Sequence, residues 1–364
     1  MIKHAFASSP TLNKTIVTHH GALDYKELES FGFSPDNVLD FSSNINPFGP
    51  PPAVKEALAN IDLSSYPDRD AIALRKVLSH QIGVDINQVV VGNGTAELIW
   101  LIAFAFVQPG DRSVVLAPTF GEYQRCVSYM GGQVSFVNTH PEEQFKFDHR
   151  RVEHALKRNQ ASLCFICNPN NPTGTVIPLE FIQNWAQMCP GTGFILDEAY
   201  LTFAPELQSA IDLSLPNLII LRSMTKDFSL AGLRLGYAAG PEEVITRIAQ
   251  VRPAWNVNSL AQAAGMAALS QKDFVCESIQ KIRIEKEKLI YALVGLGYSI
   301  PSSQTHFFIM DVGEAKSFRK RLLQDYLIQV RDCTSFGMPS YVRISTRQSE
   351  DNQRLISAIQ DINK

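Results

Sequence analysis

Between about residues 70 and 240, short apolar runs alternate with longer stretches whose apolar positions repeat at helical spacing. The runs at 88–92 (QVVVG), 113–117 (SVVLA), 162–167 (SLCFIC), 194–197 (FILD), 217–222 (NLIILR) and 233–240 (LRLGYAAG) predict buried strands. Segments 95–107, 122–130 and 179–188 lie between them and predict helices. This alternation predicts an α/β fold, a mostly parallel sheet flanked by helices on both faces. Such sheets bind ligands beyond the carboxyl ends of their strands. Polar residues collect at those points: Asn93-Gly94-Thr95, Pro118-Thr119-Phe120, 168–174, Asp197-Glu198-Ala199-Tyr200 and 223–226.

The texture changes outside this stretch. Residues 274–296 form a long, highly charged helical pattern, followed by candidate strands at 306–312 and 341–345 and a closing helix. Near the start, Asp24 is placed to cap a short helix at 25–31, and Pro50-Pro51-Pro52 soon stops any regular element. The expected division is an N-terminal arm (1–47) packing near the site or the smaller domain, a large ligand-binding domain (48–245) and a small α+β domain (246–364).

Length and charge narrow the function. At 364 residues the chain exceeds one typical core. A net charge of −3, with no run of five like charges, points away from nucleic acid and anionic membranes and toward small-molecule partners. Residues 1–14 lack the apolar core of a secretory signal, and the longest apolar run, 98–107, is too short to span a bilayer. A cytoplasmic location is expected. The six cysteines are scattered. Cys164 and Cys167 have metal-like spacing, but three residues apart on a strand they face opposite sides, so no metal site is expected.

A lysine directly after a buried strand, Lys226 in Ser223-Met224-Thr225-Lys226, gains meaning from its company. Asn171-Pro172-Thr173-Gly174 and Asp197-Glu198-Ala199-Tyr200 precede it, and Arg234 follows in Ala231-Gly232-Leu233-Arg234. This ordered set resembles the fold-type-I pyridoxal-phosphate enzymes of the aminotransferase superfamily. Within it, the segments 40–47 (DFSSNINP), His20-Gly21 and 255–258 (WNVN) are similar to the histidinol-phosphate aminotransferase group and, more closely, the threonine-phosphate decarboxylase group.

The chemistry of that coenzyme fits the residue types. Pyridoxal 5'-phosphate needs an amine, an acid at its ring nitrogen, donors at its phenolate oxygen, an apolar face and a phosphate cradle. Lys226 would supply the amine and later move protons. Asp197 would hold the ring nitrogen protonated, and Asn171 and Tyr200 would donate to the phenolate oxygen. Phe120 would stack on the ring, with Tyr123 as the alternative. Gly94, Thr95 and Ala96 open a helix whose free amides suit a dianion, and Ser223, Thr225 and Arg234 would add hydroxyls and a charged fork. The resemblance further implies a homodimer with shared active sites, in which Tyr66 of Ser65-Tyr66-Pro67-Asp68 reaches the partner's phosphate.

Substrate contacts are expected from Arg343, Arg331, His20 and Asn44. Arg343 alternates outward from the apolar strand at 341–345, where a guanidinium suits a carboxylate, although Arg347 is near enough to be confused with it. Arg331 matches a position that contacts a substrate phosphate in related enzymes, and Asp332 beside it could instead neutralise it. The decarboxylase group has His-Gly-Gly-Asn where this chain reads His20-Gly21-Ala22-Leu23. That departure either suits a neutral or cationic side chain or reflects variation around a helix start capped by Asp24.

One coenzyme supports several outcomes, because the bond held perpendicular to its ring is the one that breaks. Transamination is the expected reaction. The alternative is a lyase: decarboxylation of an amino-acid phosphate, or elimination or cyclisation on an arginine-like substrate. An effector-binding module joined to a DNA-binding segment would need a basic helix-turn-helix, which the sequence lacks. A nucleotide-binding protein would need a glycine fingerprint, which is also missing.

Overall fold

The computed structural model of the chain describes residues 21–364. Its strands, in chain order, are β1 (Leu39–Asp40), β2 (Val89–Gly92), β3 (Arg112–Ala117), β4 (Gln133–Asn138), β5 (Leu163–Cys167), β6 (Gly193–Asp197), β7 (Leu218–Ser223), β8 (Gly236–Ala239), β9 (Phe307–Asp311), β10 (Ile328–Gln329), β11 (Arg331–Asp332) and β12 (Tyr341–Ser345).

Seven of them form one sheet in the order β2-β8-β7-β6-β5-β3-β4. All pairings are parallel except those of β8, which runs antiparallel to both β2 and β7. That reversal matters for the site. The start of β8 lies at the edge where its neighbours end, with Gly236 in register with both Gly92 and Ser223. The residues before β8, Arg234 among them, therefore meet the carboxyl ends of the parallel strands.

Because the sheet is covered on both sides, its strands read as continuous apolar runs. On β5, Leu163, Phe165 and Cys167 enter one core, while Cys164 and Ile166 enter the core on the opposite face. The two cysteines are thus separated as alternation requires, and no metal-binding cluster occurs among the described residues. The strand β4 was not expected from sequence. It lies at the sheet edge with mostly exposed or half-exposed positions, so it lacks the apolar run that betrays a central strand.

A second, antiparallel sheet has the order β11-β12-β9. Its one face, with Phe308, Met310, Val342 and Ile344, packs into a third core with Leu289 and Leu293 of the 24-residue helix Lys272–Gly295 and with Leu355 and Ile359 of the closing helix. The N-terminal segment joins this unit: β1 pairs in parallel with β10, and Ser345 donates its amide to Phe41 O at 2.9 Å. The helix Tyr25–Phe31 forms where expected, with Asp24 accepting from the amides of Lys26 and Glu27. No described helix is long and apolar enough to cross a membrane.

Candidate active site

Asp197, the last residue of β6, lies at the carboxyl edge of the parallel strands. Its carboxylate is 4% exposed; Oδ2 accepts from the Tyr123 hydroxyl at 2.7 Å and Oδ1 from the Ala199 amide at 3.0 Å. Burial pushes this carboxyl above its usual range, against the pull of Tyr123, the Ala199 amide and Lys226. Lys226 lies on a single helical turn, Met224–Asp227, directly after β7. Burial, helped by the charges of Arg343 and Arg234, lowers its ammonium to about 8, while Asp197 opposes that shift. Its Nζ stands 6.0 Å from the centre of the Tyr200 ring. The N-terminal segment fixes this turn, since Asn46 donates its backbone amide to Lys226 O at 2.9 Å and its side-chain amide to Asp227 O at 3.1 Å.

Phe120 and Tyr123 now part ways. Tyr123 is fully buried, stacked on Phe165 at 5.3 Å and committed to Asp197. Phe120 is half-buried and edge-on to Tyr123 at 5.7 Å. Tyr200 is buried with its ring edge on Phe307 at 4.9 Å, and burial pushes its hydroxyl up while Arg343 pulls the other way. The carbonyl oxygen of Asn171 accepts from Arg343 Nη1, so donation to a ligand oxygen would come from its amide nitrogen.

Beside Lys226 two glycines bring a helix N-terminus close to Arg234. Gly94 opens the 13-residue helix Gly94–Phe106 at φ +78°, and a Cβ there would sit 2.7 Å from Arg234 Nη2. A Cβ on Gly236 would sit 2.8 Å from the Thr95 amide. Two glycines thus bring Arg234, the Thr95 and Ala96 end of the helix and β8 together as longer side chains would not allow. The hydroxyls of Ser223 and Thr225 lie 2.7 Å apart beside them. Tyr66, by contrast, is 80% exposed and stacks on Trp255 at 4.7 Å on the surface.

The second sheet carries two more arginines. Arg343 and Arg331 are directly opposed across β12 and β11, so their side chains share one face. Arg343 is 3% exposed and donates to Asn171 Oδ1 and Ser42 O, both neutral oxygens. Arg331 donates to Ser335 Oγ at 2.6 Å and to the Asp332 carbonyl at 2.8 Å, and lies 5.1 Å over Phe336. Burial, with Arg343 adding to it, lowers Arg331 to about 10. The Asp332 carboxylate is occupied by the amide and hydroxyl of Thr334 at 2.8 and 2.6 Å and makes no ion pair with Arg331. Arg347 is structural, paired with Asp351 at 2.8 Å and donating to Asp40 O. Asp24 turns to its own helix rather than to the site. Asn44 is buried beside Tyr200; His20 lies outside the described residues.

Sequence reasoning missed four contributors. Tyr123 orients Asp197, Ser42 and Asn46 tie the N-terminal segment to Arg343 and Lys226, and Gly21 packs so tightly that a Cβ would sit 2.2 Å from Ser42 O and 2.6 Å from Arg343 Nη2. Only the glycine carried a signal that could have been read.

A buried amine, a buried acid with no ion pair among the described residues, a nearby aromatic ring and a helix N-terminus beside an arginine fit the groups that pyridoxal phosphate requires. The sequence profile of the family described as "Aminotransferase class I and II" matches residues 36–359. The chain belongs to this family. It is 32% identical to the histidinol-phosphate aminotransferase of Caldicellulosiruptor saccharolyticus, over 90% of this chain and 92% of that one. It is also 32% identical to the bifunctional adenosylcobalamin biosynthesis protein CobDQ of Leptospira interrogans, matching 94% of this chain but spanning only 41% of that longer protein. Among solved structures, the histidinol-phosphate aminotransferase of Sinorhizobium meliloti in complex with pyridoxal-5'-phosphate superposes with a TM-score of 0.89 at 25% identity, covering 99% and 98% of the two chains. The L-threonine-O-3-phosphate decarboxylase of Porphyromonas gingivalis gives 0.78 at 29% identity, covering 90% and 99%. This family member is a pyridoxal 5'-phosphate enzyme of the aminotransferase kind.

Proposed function

We propose that this aminotransferase takes the amino group from an L-amino acid that carries a second anionic group, a phosphate, on its side chain. The observation that carries this reading is the pair of buried guanidiniums, Arg343 and Arg331, facing the same way across β12 and β11. Two guanidiniums that share one face suit two anionic groups of a single ligand. An amino-acid phosphate supplies two, its carboxylate for Arg343 and its phosphate for Arg331. A cationic, arginine-like substrate would add to the repulsion instead, and Asp24 is not turned toward it.

Bound at Lys226, pyridoxal phosphate would supply an electron sink for the charge that develops at the substrate's Cα. Asp197 would hold a proton on the ring nitrogen, with Tyr123 and the Ala199 amide fixing the carboxylate. Tyr200 and Asn171 would donate to the ring's phenolic oxygen and Phe120 would cover its face. The amides of Gly94, Thr95 and Ala96, the hydroxyls of Ser223 and Thr225, and Arg234 would hold the phosphate. Lys226, lowered to about 8, spends an appreciable fraction of its time as a free amine near neutral pH and can take a proton at Nζ and return it. Arg343 would orient the carboxylate, and Asn44, with His20 from the arm, would contact the substrate beside it.

The same reading divides the chain into an arm (1–47), a large coenzyme domain (48–245) and a small domain (246–364). It makes the enzyme a cytoplasmic homodimer in which the exposed Tyr66, stacked on Trp255, meets the partner's phosphate; a monomer in sedimentation at assay concentration would remove that element. The deciding experiment incubates coenzyme-loaded enzyme with phosphorylated, unphosphorylated and guanidino amino acids, following keto acid, carbon dioxide and ammonia separately. Keto acid from the phosphorylated substrate is expected. Release of carbon dioxide would instead establish decarboxylation, the second reading, which the similarity to the Porphyromonas gingivalis enzyme favours.

A further inference from the structure

The loop between the long helix Lys272–Gly295 and β9 brings His306 to the back of this site. The loop is pinned from two sides. Lys286 on the helix donates from Nζ to Ser303 O and Thr305 O, both at 2.7 Å, and the Gln304 amide donates to Gly174 O at 2.8 Å. Gly174 stands at φ +71°, and a Cβ there would overlap the Ser303 hydroxyl, so the crossing of the two loops is close. The His306 side chain is held in place as tightly. Its ring is 1% exposed, 3.7 Å from the Phe203 ring and 5.3 Å from that of Phe307.

Yet neither ring nitrogen of His306 has a hydrogen-bond partner, and neither side-chain atom of Asn44, 2% exposed, has one. Buried donors and acceptors are nearly always satisfied, so a small shift that brings these groups into hydrogen bonds is favoured. The imidazole faces the Asn44 backbone, the Asn44 amide faces the Tyr200 hydroxyl without closing a bond to it, and the Tyr200 and His306 rings lie 6.2 Å apart.

The charges around His306 are mainly positive. Lys226 and Arg343 lie on the site side and Lys286 behind the loop, and these, after burial, hold the imidazole well below its usual pKa. Toward solvent, Glu287 and the ion pair of Glu206 with Arg283, at 2.7 Å, line a shallow groove with it. A neutral imidazole offers one donor and one acceptor, which is what a link in a chain of hydrogen bonds requires.

We propose that His306 is a positioning residue, a neutral imidazole that anchors Asn44 so that the Asn44 amide N–H is held against the Tyr200 hydroxyl oxygen. This rests on the proposed role of Tyr200 as a donor to the coenzyme's phenolic oxygen. A hydroxyl that accepts from Asn44 is a stronger donor through its own proton. A stronger donor there stabilises the ring oxygen as an anion and lowers the proton affinity of the nitrogen that Lys226 contributes.

The test is the pH titration of the visible absorbance of the lysine-bound coenzyme, which reports that proton. His306→Phe keeps the stack on Phe203 and removes both nitrogens. Its midpoint is expected to rise by about half a pH unit, roughly a threefold gain in proton affinity. His306→Asn, which restores donor and acceptor, is expected to return the midpoint to within about 0.2 unit of the parent. In a Tyr200→Phe background the His306→Phe shift is expected to vanish, since the chain then has no end. Asn44→Ala breaks the same chain at its middle and should raise the midpoint equally, which keeps the test sharp should His306→Phe fail to fold. In coenzyme-free protein, 15N NMR is expected to show His306 neutral at the pH where an ordinary imidazole is half protonated. An unmoved midpoint in both His306→Phe and Asn44→Ala, a shift that survives in the Tyr200→Phe background, or a charged imidazole at neutral pH would overturn the proposal. If the parent protein forms no lysine-bound chromophore, the coenzyme reading itself fails, a result distinct from all of these.

Discussion

Lys226 is a charge the fold carries at a cost, and the cost is measurable without any coenzyme. Its ammonium falls from 10.5 to about 8 in the folded chain. At about 1.4 kcal/mol per pH unit, that corresponds to roughly 3 kcal/mol of destabilisation wherever the group is charged. The sign follows from proton binding. The unfolded chain holds this proton more tightly, so the penalty is complete below about pH 8 and disappears as pH rises to about 10.5, and stability rises across that interval. Lys226→Met keeps most of the stem and removes the charge. Part of the gain is returned, because Asp197 loses the nearby cation that helps keep it ionised. A net gain of about 1–2 kcal/mol at pH 7 is expected, shrinking to near zero above about pH 10.5, where lysine is neutral in both states. Urea denaturation of coenzyme-free parent and variant at the two pH values measures this; other groups that titrate near pH 10 cancel in the difference. A variant no more stable than the parent at pH 7, or a difference that does not change with pH, would refute the reasoning.

Asp197→Asn should likewise stabilise the coenzyme-free protein at neutral pH, since burial raises this carboxyl and so penalises its ionised form above its unfolded pKa, while turnover falls by about 100-fold or more. Denaturation and steady-state kinetics on the same preparation would separate the two effects, and a variant that keeps full turnover contradicts the role given to the acid. Arg343→Lys replaces a two-pronged donor by a point charge; losing one charged hydrogen bond is worth about 1.5–3 kcal/mol, so kcat/KM should fall roughly 10- to 100-fold. A change under about twofold would move the carboxylate site elsewhere. Gly94→Ala places a methyl 2.7 Å from Arg234 Nη2 at a φ of +78°, and coenzyme affinity measured by titration should fall about tenfold. An unchanged affinity would show that the cradle lies elsewhere.

Much of this architecture was legible because burial on both faces writes itself as unbroken apolar runs. The strands β5, β6, β7 and β12 fall within a residue of their expected bounds, and Lys226, Asp197 and Gly94 sit at the strand ends where polar residues interrupted those runs. The edge strand β4 escaped because half-exposed positions look like loop, and the helix Ser259–Leu269 because its alanine-rich face carries little contrast. Contacts across the chain were the harder part. Nothing in one dimension says that Tyr123 bonds Asp197, 74 residues away, or that Ser42 meets Arg343 across 301. Sequence left Arg343 and Arg347 open to confusion, because only the fold shows that Asp351 takes Arg347 and that Thr334 takes the Asp332 carboxylate. His306 read as the start of a strand, since a lone histidine before an apolar run gives no sign of its neighbours.

The most direct measurement is covalent. Protein loaded with pyridoxal phosphate, reduced with borohydride, digested and mapped by mass spectrometry should carry the reduced adduct on Lys226, at one per chain, and the yellow absorbance should disappear on reduction. A label on a different lysine, or none on a protein that remains folded, would contradict the assignment of these residues as the coenzyme site.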